Sequence, residues 1–124
     1  MQDKLDIIFE MQKAFDQEVI DRRHLDVSDK SVWMQRKILA LLTELTEVLD
    51  EVNYKWWKNP KEIDYDKVKE ELIDVLHFFI SMCITAGMDA DEMLRCYLAK
   101  NKENYARQNG TSQKKGYEVK EKKD

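Results

Sequence analysis

Four carboxylates at helical spacing are the side chains of this sequence best suited to chemistry. Glu44 and Glu47 stand three residues apart, and Glu71 and Asp74 repeat that interval. At about 3.6 residues per turn, the members of each pair point to the same side of a helix. Acidic residues on helices often form a solvated face. Asp74, however, is flanked by leucine, isoleucine and valine, and a buried carboxylate needs a cation because its desolvation is costly.

The ligand types indicate which cation this would be. Four carboxylates without clustered histidine or cysteine form an all-oxygen site, which favours Mg²⁺, with Mn²⁺ as a substitute. A di-iron bundle would need Glu-x-x-His on two helices, and only the spacing of Asp74 and His77 approaches that pattern. Because Mg²⁺ shares its ligands with substrate phosphates, we expect a polyphosphate substrate, and we include His77 among the residues that bind it. A carboxylate that the metal leaves free can act as general base towards water.

The elements that must position these residues read as helices. Apolar residues recur at intervals of three and four, no segment alternates as a strand would, and the only proline, Pro60, stands between two helical stretches. Ser28-Asp29 and Asp89–Glu92 resemble helix N-termini, and Gly87 predicts a helix end. The expected helices cover about residues 5–19, 29–52, 65–86 and 89–107.

This pattern predicts an all-α bundle of four to five helices in a single catalytic domain over residues 1–107. Residues 108–124 form a polar, basic tail with little core of its own, which we expect to order over the substrate. From Leu72 to Ile84 the third helix is apolar on nearly every face. In so small a chain, such a helix can be covered all round only by a second copy, so we expect a homodimer.

Composition narrows the classes of partner. The 124 residues carry 21 Lys and Arg against 25 Asp and Glu, a net charge of -4, which lacks the basic field of a nucleic-acid binder. Two cysteines, Cys83 and Cys96, are too few for a disulfide framework and favour a reducing compartment. We find no signal-peptide pattern, and the longest apolar run is shorter than the ~20 residues of a membrane span. These features predict a cytoplasmic protein that binds neither nucleic acid nor membrane.

Several stretches resemble the all-α nucleoside triphosphate pyrophosphatases, which include MazG, and within them the dimeric dUTPase family. The superfamily pattern is Glu-x-x-Glu followed, one helix connection later, by Glu-x-x-Asp, and the two carboxylate pairs match it. The resemblance covers about residues 5–117 and implies the all-α pyrophosphatase bundle, assembled as a dimer. Besides the carboxylates it rests on residues 11–16, residues 54–58, residues 100–110 and Gly116-Tyr117.

The resemblance implies Mg²⁺-dependent hydrolysis of dUTP, and also of dUDP, to dUMP, with pyrophosphate released from dUTP. In such a homodimer both subunits can contribute to each site. By analogy, the four carboxylates hold the metal and carry out catalysis. Lys100, Asn104 and Arg107 correspond to contacts with phosphate and sugar, while Gln12 and Trp57 correspond to the base pocket. Residues 100–124 carry eight Lys and Arg against four Asp and Glu, which suits a phosphate clamp.

The identity of the base stays open at this point. Phe15 stands where several dimeric dUTPases have an asparagine that helps to read uracil. The amide of Gln12 can pair with uracil O4 and N3–H, but when turned over it pairs equally well with cytosine N3 and N4–H₂. A dCTP-directed or broader MazG-type pyrophosphatase is therefore the alternative enzyme. The alternative from another class is a helical interaction module with a decayed site, which the intact carboxylates disfavour.

Overall fold

The computed structural model describes residues 2–120, which form four α-helices and contain no strand. This confirms the all-α class that the helical periodicity predicts. No single helix in the described part of the chain is long and apolar enough to cross a membrane. The helices are α1 (Lys4–Arg23), α2 (Lys30–Glu51), α3 (Tyr65–Thr85) and α4 (Ala90–Asn109).

An aspartate caps the N-terminus of every helix. Asp29 accepts a hydrogen bond from the backbone N–H of Val32, as the sequence predicts for the start of α2. Asp89 likewise caps α4 by accepting from the Glu92 N–H at 2.8 Å. At the other end of α3, Gly87 has φ +87°, a left-handed conformation that ends the helix as predicted. Local capping chemistry therefore sets most helix boundaries.

The chain divides into two compact units between Met88 and Asp89. In the first unit α3 packs against both α1 and α2. Its buried apolar side chains are few: Phe9, Val68, Ile80 and Cys83, of which Ile80 is only 2% exposed. The single catalytic domain over residues 1–107 stays a prediction.

In the second unit the segment after α4 folds back on its own helix. Ser112 is buried and donates a hydrogen bond from its hydroxyl to Glu103, and the guanidinium of Arg107 lies 5.3 Å from the ring centre of Tyr117. Residues 121–124 of the predicted tail lie outside the described part. Ordering of the tail over a substrate stays a prediction.

Many large apolar side chains of the first unit remain exposed. On α3, Leu72, Ile73 and Phe79 are each about half exposed, although the sequence predicts that this helix is covered all round. The first unit by itself therefore does not supply that cover. The exposed set on the other two helices includes Ile7, Ile8, Met11, Phe15, Val32, Ile38, Leu39, Leu42, Leu45 and Leu49.

We predict that Ile80→Ala lowers the free energy of unfolding by about 2–4 kcal/mol, because it leaves a cavity where α3 is fully covered. Urea unfolding followed by circular dichroism measures the loss. Val119→Ala is the control, since this side chain is 75% exposed and its truncation should change stability by less than about 0.5 kcal/mol. Equal losses of unfolding free energy in the two variants would contradict the assignment of Ile80 to the core.

Candidate functional site

Contact between α2 and α3 brings the two carboxylate pairs together. One oxygen from each of Glu44, Glu47, Glu71 and Asp74 lies within 4.8 Å of the other three. Glu44 and Glu71 are half-buried, and Glu47 is exposed. We call this group the carboxylate cluster. Each pair lies on one side of its helix, as the spacing predicts, and the two sides face each other.

The most deeply shielded oxygens of the cluster belong to other residues than the sequence predicts. Asp74, which its apolar neighbours predict to be buried, keeps access to solvent. Within residues 2–120, Glu44 Oε2 and Glu71 Oε2 are instead fully shielded and have no hydrogen-bond partner. Buried carboxylate oxygens are costly without a partner, so these two atoms are the natural ligands of a cation.

No described side chain supplies that cation. Among residues 2–120, none of the four carboxylates forms a salt bridge. The salt bridges of Lys67 and Lys61 are with Glu51, whose carboxylate lies 3.3 Å and 3.7 Å from their Nζ atoms. A hydrogen bond with Glu51 raises the pKa of Lys67, which keeps this lysine charged in that pair. The cluster therefore concentrates negative charge that no salt bridge among the described residues neutralises.

The pKa values of the cluster reflect this excess of charge. Burial raises the pKa of Glu44 above its ordinary value of 4.5, and proximity to Glu47 and Asp74 raises it further. For Glu71, interaction with the neighbouring Glu47 carboxyl is the first cause of a raised pKa, followed by burial. Both groups thus resist ionisation in the metal-free protein.

The cluster suits a hard divalent cation. Mg²⁺ binds oxygen at about 2.1 Å, so two ligands on opposite sides of one ion stand about 4.2 Å apart. The observed spread of 4.8 Å is close to that span, and all the donor atoms are carboxylate oxygens. The two unpartnered oxygens give such an ion fixed ligands. The residues present therefore fit the group that the sequence predicts.

A pocket of about 360 Å³ adjoins the cluster. Glu44 and Asp74 contribute to its wall, together with Gln12 and His77. Two aromatic rings, Phe15 and Phe78, and the carboxylate of Asp16 complete the lining. A space with aromatic walls, a few polar groups and adjoining carboxylates can hold a planar ring beside a metal-bound anion.

A family model described as dUTPase matches residues 4–92 of the chain. This chain belongs to that dUTPase family. The matched segment contains the carboxylate cluster and the pocket in full. Family membership confirms the resemblance that the residue patterns indicate.

Curated relatives of this dUTPase-family chain are phage proteins. One named dCTP pyrophosphatase, from phage T4, is 33% identical over 87 residues, covering 59% of this chain and 51% of the relative. The dCTP pyrophosphatase of phage LZ5 is 49% identical over 45 residues, covering 36% and 26%. A phage T4 DNA replication protein is 32% identical over 81 residues, covering 54% and 21%. The chain thus spans about half or less of these relatives. No solved structure gives a significant match.

The sequence does not predict roles for three polar residues linked to the dUTPase-family pocket, of which only Asp16 belongs to its lining. Asp16 accepts a hydrogen bond from the Gln12 amide at 2.8 Å and another from the Ser81 hydroxyl at 2.6 Å. Lys37 is buried, with its Nζ 3.8 Å from Asp16. Burial lowers the pKa of Lys37, and Asp16 opposes that shift. One signal was available, because Lys37 lies in the apolar stripe four residues after Trp33.

The other predicted substrate contacts lie outside this pocket. Trp57 is 63% exposed and packs edge-to-face on Trp56, with ring centres 4.5 Å apart. Lys100, Asn104 and Arg107 lie on α4, in the second unit. The structure therefore brings together Gln12, His77 and the four carboxylates. The roles of the remaining residues stay predictions.

We predict that Glu44→Gln raises the melting temperature of the metal-free protein and that this gain grows with pH. A carboxyl whose pKa is raised on folding keeps its proton longer in the folded state than in the unfolded chain. Its contribution to stability is therefore lost as the pH rises from 4.5 through the raised pKa, and glutamine removes that loss.

Thermal unfolding in the presence of a chelator, at several pH values, measures this difference. Glu70→Gln is the matched control, since Glu70 is exposed on the same stretch of α3 but stands outside the cluster. A gain for Glu44→Gln that is independent of pH would contradict the origin that we assign to it.

Proposed function

We propose that this dUTPase-family protein uses Mg²⁺ to hydrolyse a deoxypyrimidine nucleoside triphosphate to the monophosphate and pyrophosphate. The preferred substrate in this proposal is dUTP. The observation that carries the proposal is the shared wall of pocket and cluster, formed by Glu44 and Asp74. The pocket that would hold the nucleobase therefore lies next to the cluster that would hold the metal and the phosphates. Hydrolysis of dUDP to dUMP by the same residues is part of the proposal.

Hydrolysis at the cluster requires ligands for a metal ion and a general base that takes a proton from water. Mg²⁺, when bound, supplies positive charge that offsets the phosphates and polarises a phosphoryl oxygen. Glu44 and Glu71 would hold it through their unpartnered oxygens, together with Glu47 and Asp74. A carboxylate of the cluster takes a proton from water while the water oxygen bonds to phosphorus and a phosphoanhydride P–O bond breaks. The released pyrophosphate carries away the electron pair of that bond.

Gln12 and His77 are proposed to read the edge of the base, with Phe15 and Phe78 against its faces. The family model is described as dUTPase, which favours uracil. The second candidate substrate is dCTP, favoured by the two phage relatives named dCTP pyrophosphatase. Both bases fit an amide that can donate and accept.

The phosphate and sugar contacts are proposed to come from Lys100, Asn104 and Arg107. Their intervals of four and three residues put them on one side of α4. The Nε of Arg107 bonds to Glu103 at 3.2 Å, and guanidinium has four further N–H donors for a phosphate. Trp57 is proposed to contact the base when the site is complete.

A homodimer is proposed as the active form. The exposed apolar side chains on α1, α2 and α3 support it, since monomers rarely expose large continuous apolar surfaces.

Cys83 and Cys96 are both free, which supports a reducing, cytoplasmic location.

The test of the reaction is pyrophosphate release with Mg²⁺ over all deoxynucleoside and ribonucleoside triphosphates. We predict the highest kcat/KM for dUTP, with dCTP as the nearest competitor. Glu47→Gln should lower kcat by more than the about 10–100-fold typical of lost outer-shell partners, because it removes a direct ligand. Glu70→Gln should leave it unchanged. Absence of Mg²⁺-dependent turnover on every nucleotide would refute the enzyme and favour the helical interaction module.

Sedimentation at micromolar concentration tests the assembly. We predict a particle of twice the 14.9 kDa chain mass, because burying the apolar faces of α1 to α3 needs a second copy. Activity should fall on dilution in step with dissociation. A fully active monomer would show that the exposed apolar surface serves another purpose.

A further inference from the structure

A continuous chain of polar contacts joins the buried interior of the first unit to the wall of the pocket. It begins at Lys37, whose ammonium donates to the Thr85 hydroxyl at 2.7 Å and to the Ser81 carbonyl at 3.2 Å. It passes through Asp16, which accepts from the Ser81 hydroxyl, and then to Gln12. It ends at His77, whose Nδ1 pairs with Gln12 Oε1. This series of polar contacts involves residues of all three helices of the unit.

Asp16 determines which way the Gln12 amide points. Asp16 Oδ2 accepts a hydrogen bond from the Ser81 hydroxyl and lies 3.8 Å from Lys37 Nζ, and a carboxylate can only accept hydrogen bonds. The group of Gln12 that faces Asp16 Oδ1 must therefore be the NH₂. With the amide reversed, two acceptor oxygens would face each other in a buried place. The Gln12 side chain is almost wholly buried, so solvent is a poor substitute for the lost hydrogen bond.

The same logic fixes the proton on His77. Gln12 Oε1 can only accept, so the Nδ1 of His77 must donate to it. In a neutral ring this puts the proton on Nδ1 and leaves Nε2 as an acceptor. Gln12 and His77 both line the pocket, so its wall offers an acceptor nitrogen on His77 and, on Gln12, an oxygen and an amide N–H whose positions cannot be exchanged.

We propose that Asp16, held by Lys37 and Ser81, is a positioning residue that fixes the Gln12 amide and the His77 tautomer and thereby sets which pyrimidine the pocket prefers. Its effect on base preference rests on the proposed function. Its effect on Gln12 and His77 does not. Asp16 touches neither phosphate nor metal in this assignment and acts through the residues that it orients.

The first experiment measures the His77 tautomer by ¹⁵N NMR of the ring nitrogens at alkaline pH, without nucleotide. The protein has two histidines, so a His24→Asn variant assigns the spectrum. We expect His77 to carry its proton on Nδ1 in the wild-type protein. In Asp16→Asn we expect a mixture of tautomers, because asparagine can face the Gln12 amide in either direction. A wild-type His77 with its proton on Nε2 would overturn the proposal.

The chain contains its own matched control. Gln17 donates to Asp21 at 2.9 Å with the same spacing of four residues on the same helix, but this pair is exposed. Asp21→Asn should therefore leave the His77 spectrum unchanged. Asp16→Asn leaves the buried Lys37 without its anion, so the double variant Asp16→Asn/Lys37→Met provides a second test if the single variant unfolds. It should show the same mixture of tautomers.

The second experiment compares kcat/KM for dUTP and dCTP. We expect Asp16→Asn to reduce the ratio of the two kcat/KM values by about 10-fold or more. Asp21→Asn should keep the wild-type ratio, and Asp16→Glu should retain part of it. A changed tautomer with an unchanged preference would overturn the role in specificity. If no variant, wild type included, hydrolyses either nucleotide, the proposed function fails, while the NMR result still decides whether Asp16 positions Gln12 and His77.

Discussion

Repulsion among four carboxylates that α2 and α3 hold within 4.8 Å is the constraint on which the rest of the structure depends. Packing of these two helices has to keep the groups together, although burial and mutual proximity raise the pKa values of Glu44 and Glu71. Two shielded oxygens without partners add to the cost. A fold that keeps such an arrangement gives up stability for a binding site, which is the usual relation between stability and function.

The buried pair of Lys37 and Asp16 differs from the carboxylate cluster because its charges are opposite in sign. Lys37 and Asp16 neutralise each other, and hydroxyl and carbonyl groups of α3 complete their hydrogen bonds. This pair ties α1 and α2 to α3 through directional contacts, which a small apolar core alone could not provide. The pocket lies between a strained anionic cluster and a satisfied network, so one wall is ready for a cation and the other keeps a fixed pattern of donors and acceptors.

Helix periodicity explains which features were predictable from the sequence. The three-residue intervals within each carboxylate pair, the capping aspartates and the stop at Gly87 depend on local geometry, and all of them are present. Apolar neighbours in sequence do not tell which side of a helix is covered. They predict a buried Asp74, whereas the shielded oxygens belong to Glu44 and Glu71. Gln12 and His77 are 65 residues apart, and no local pattern predicts contacts across that distance.

The central claim is that the carboxylate cluster exists to hold a divalent cation, and direct metal binding tests it without any nucleotide. Mn²⁺ bound to the protein can be followed by electron paramagnetic resonance as the signal of the free ion disappears. We predict saturable binding by the wild-type protein, competition by Mg²⁺, a loss of binding in Glu71→Gln and unchanged binding in Glu70→Gln. Equal Mn²⁺ binding by both variants, or none by the wild-type protein, would contradict it.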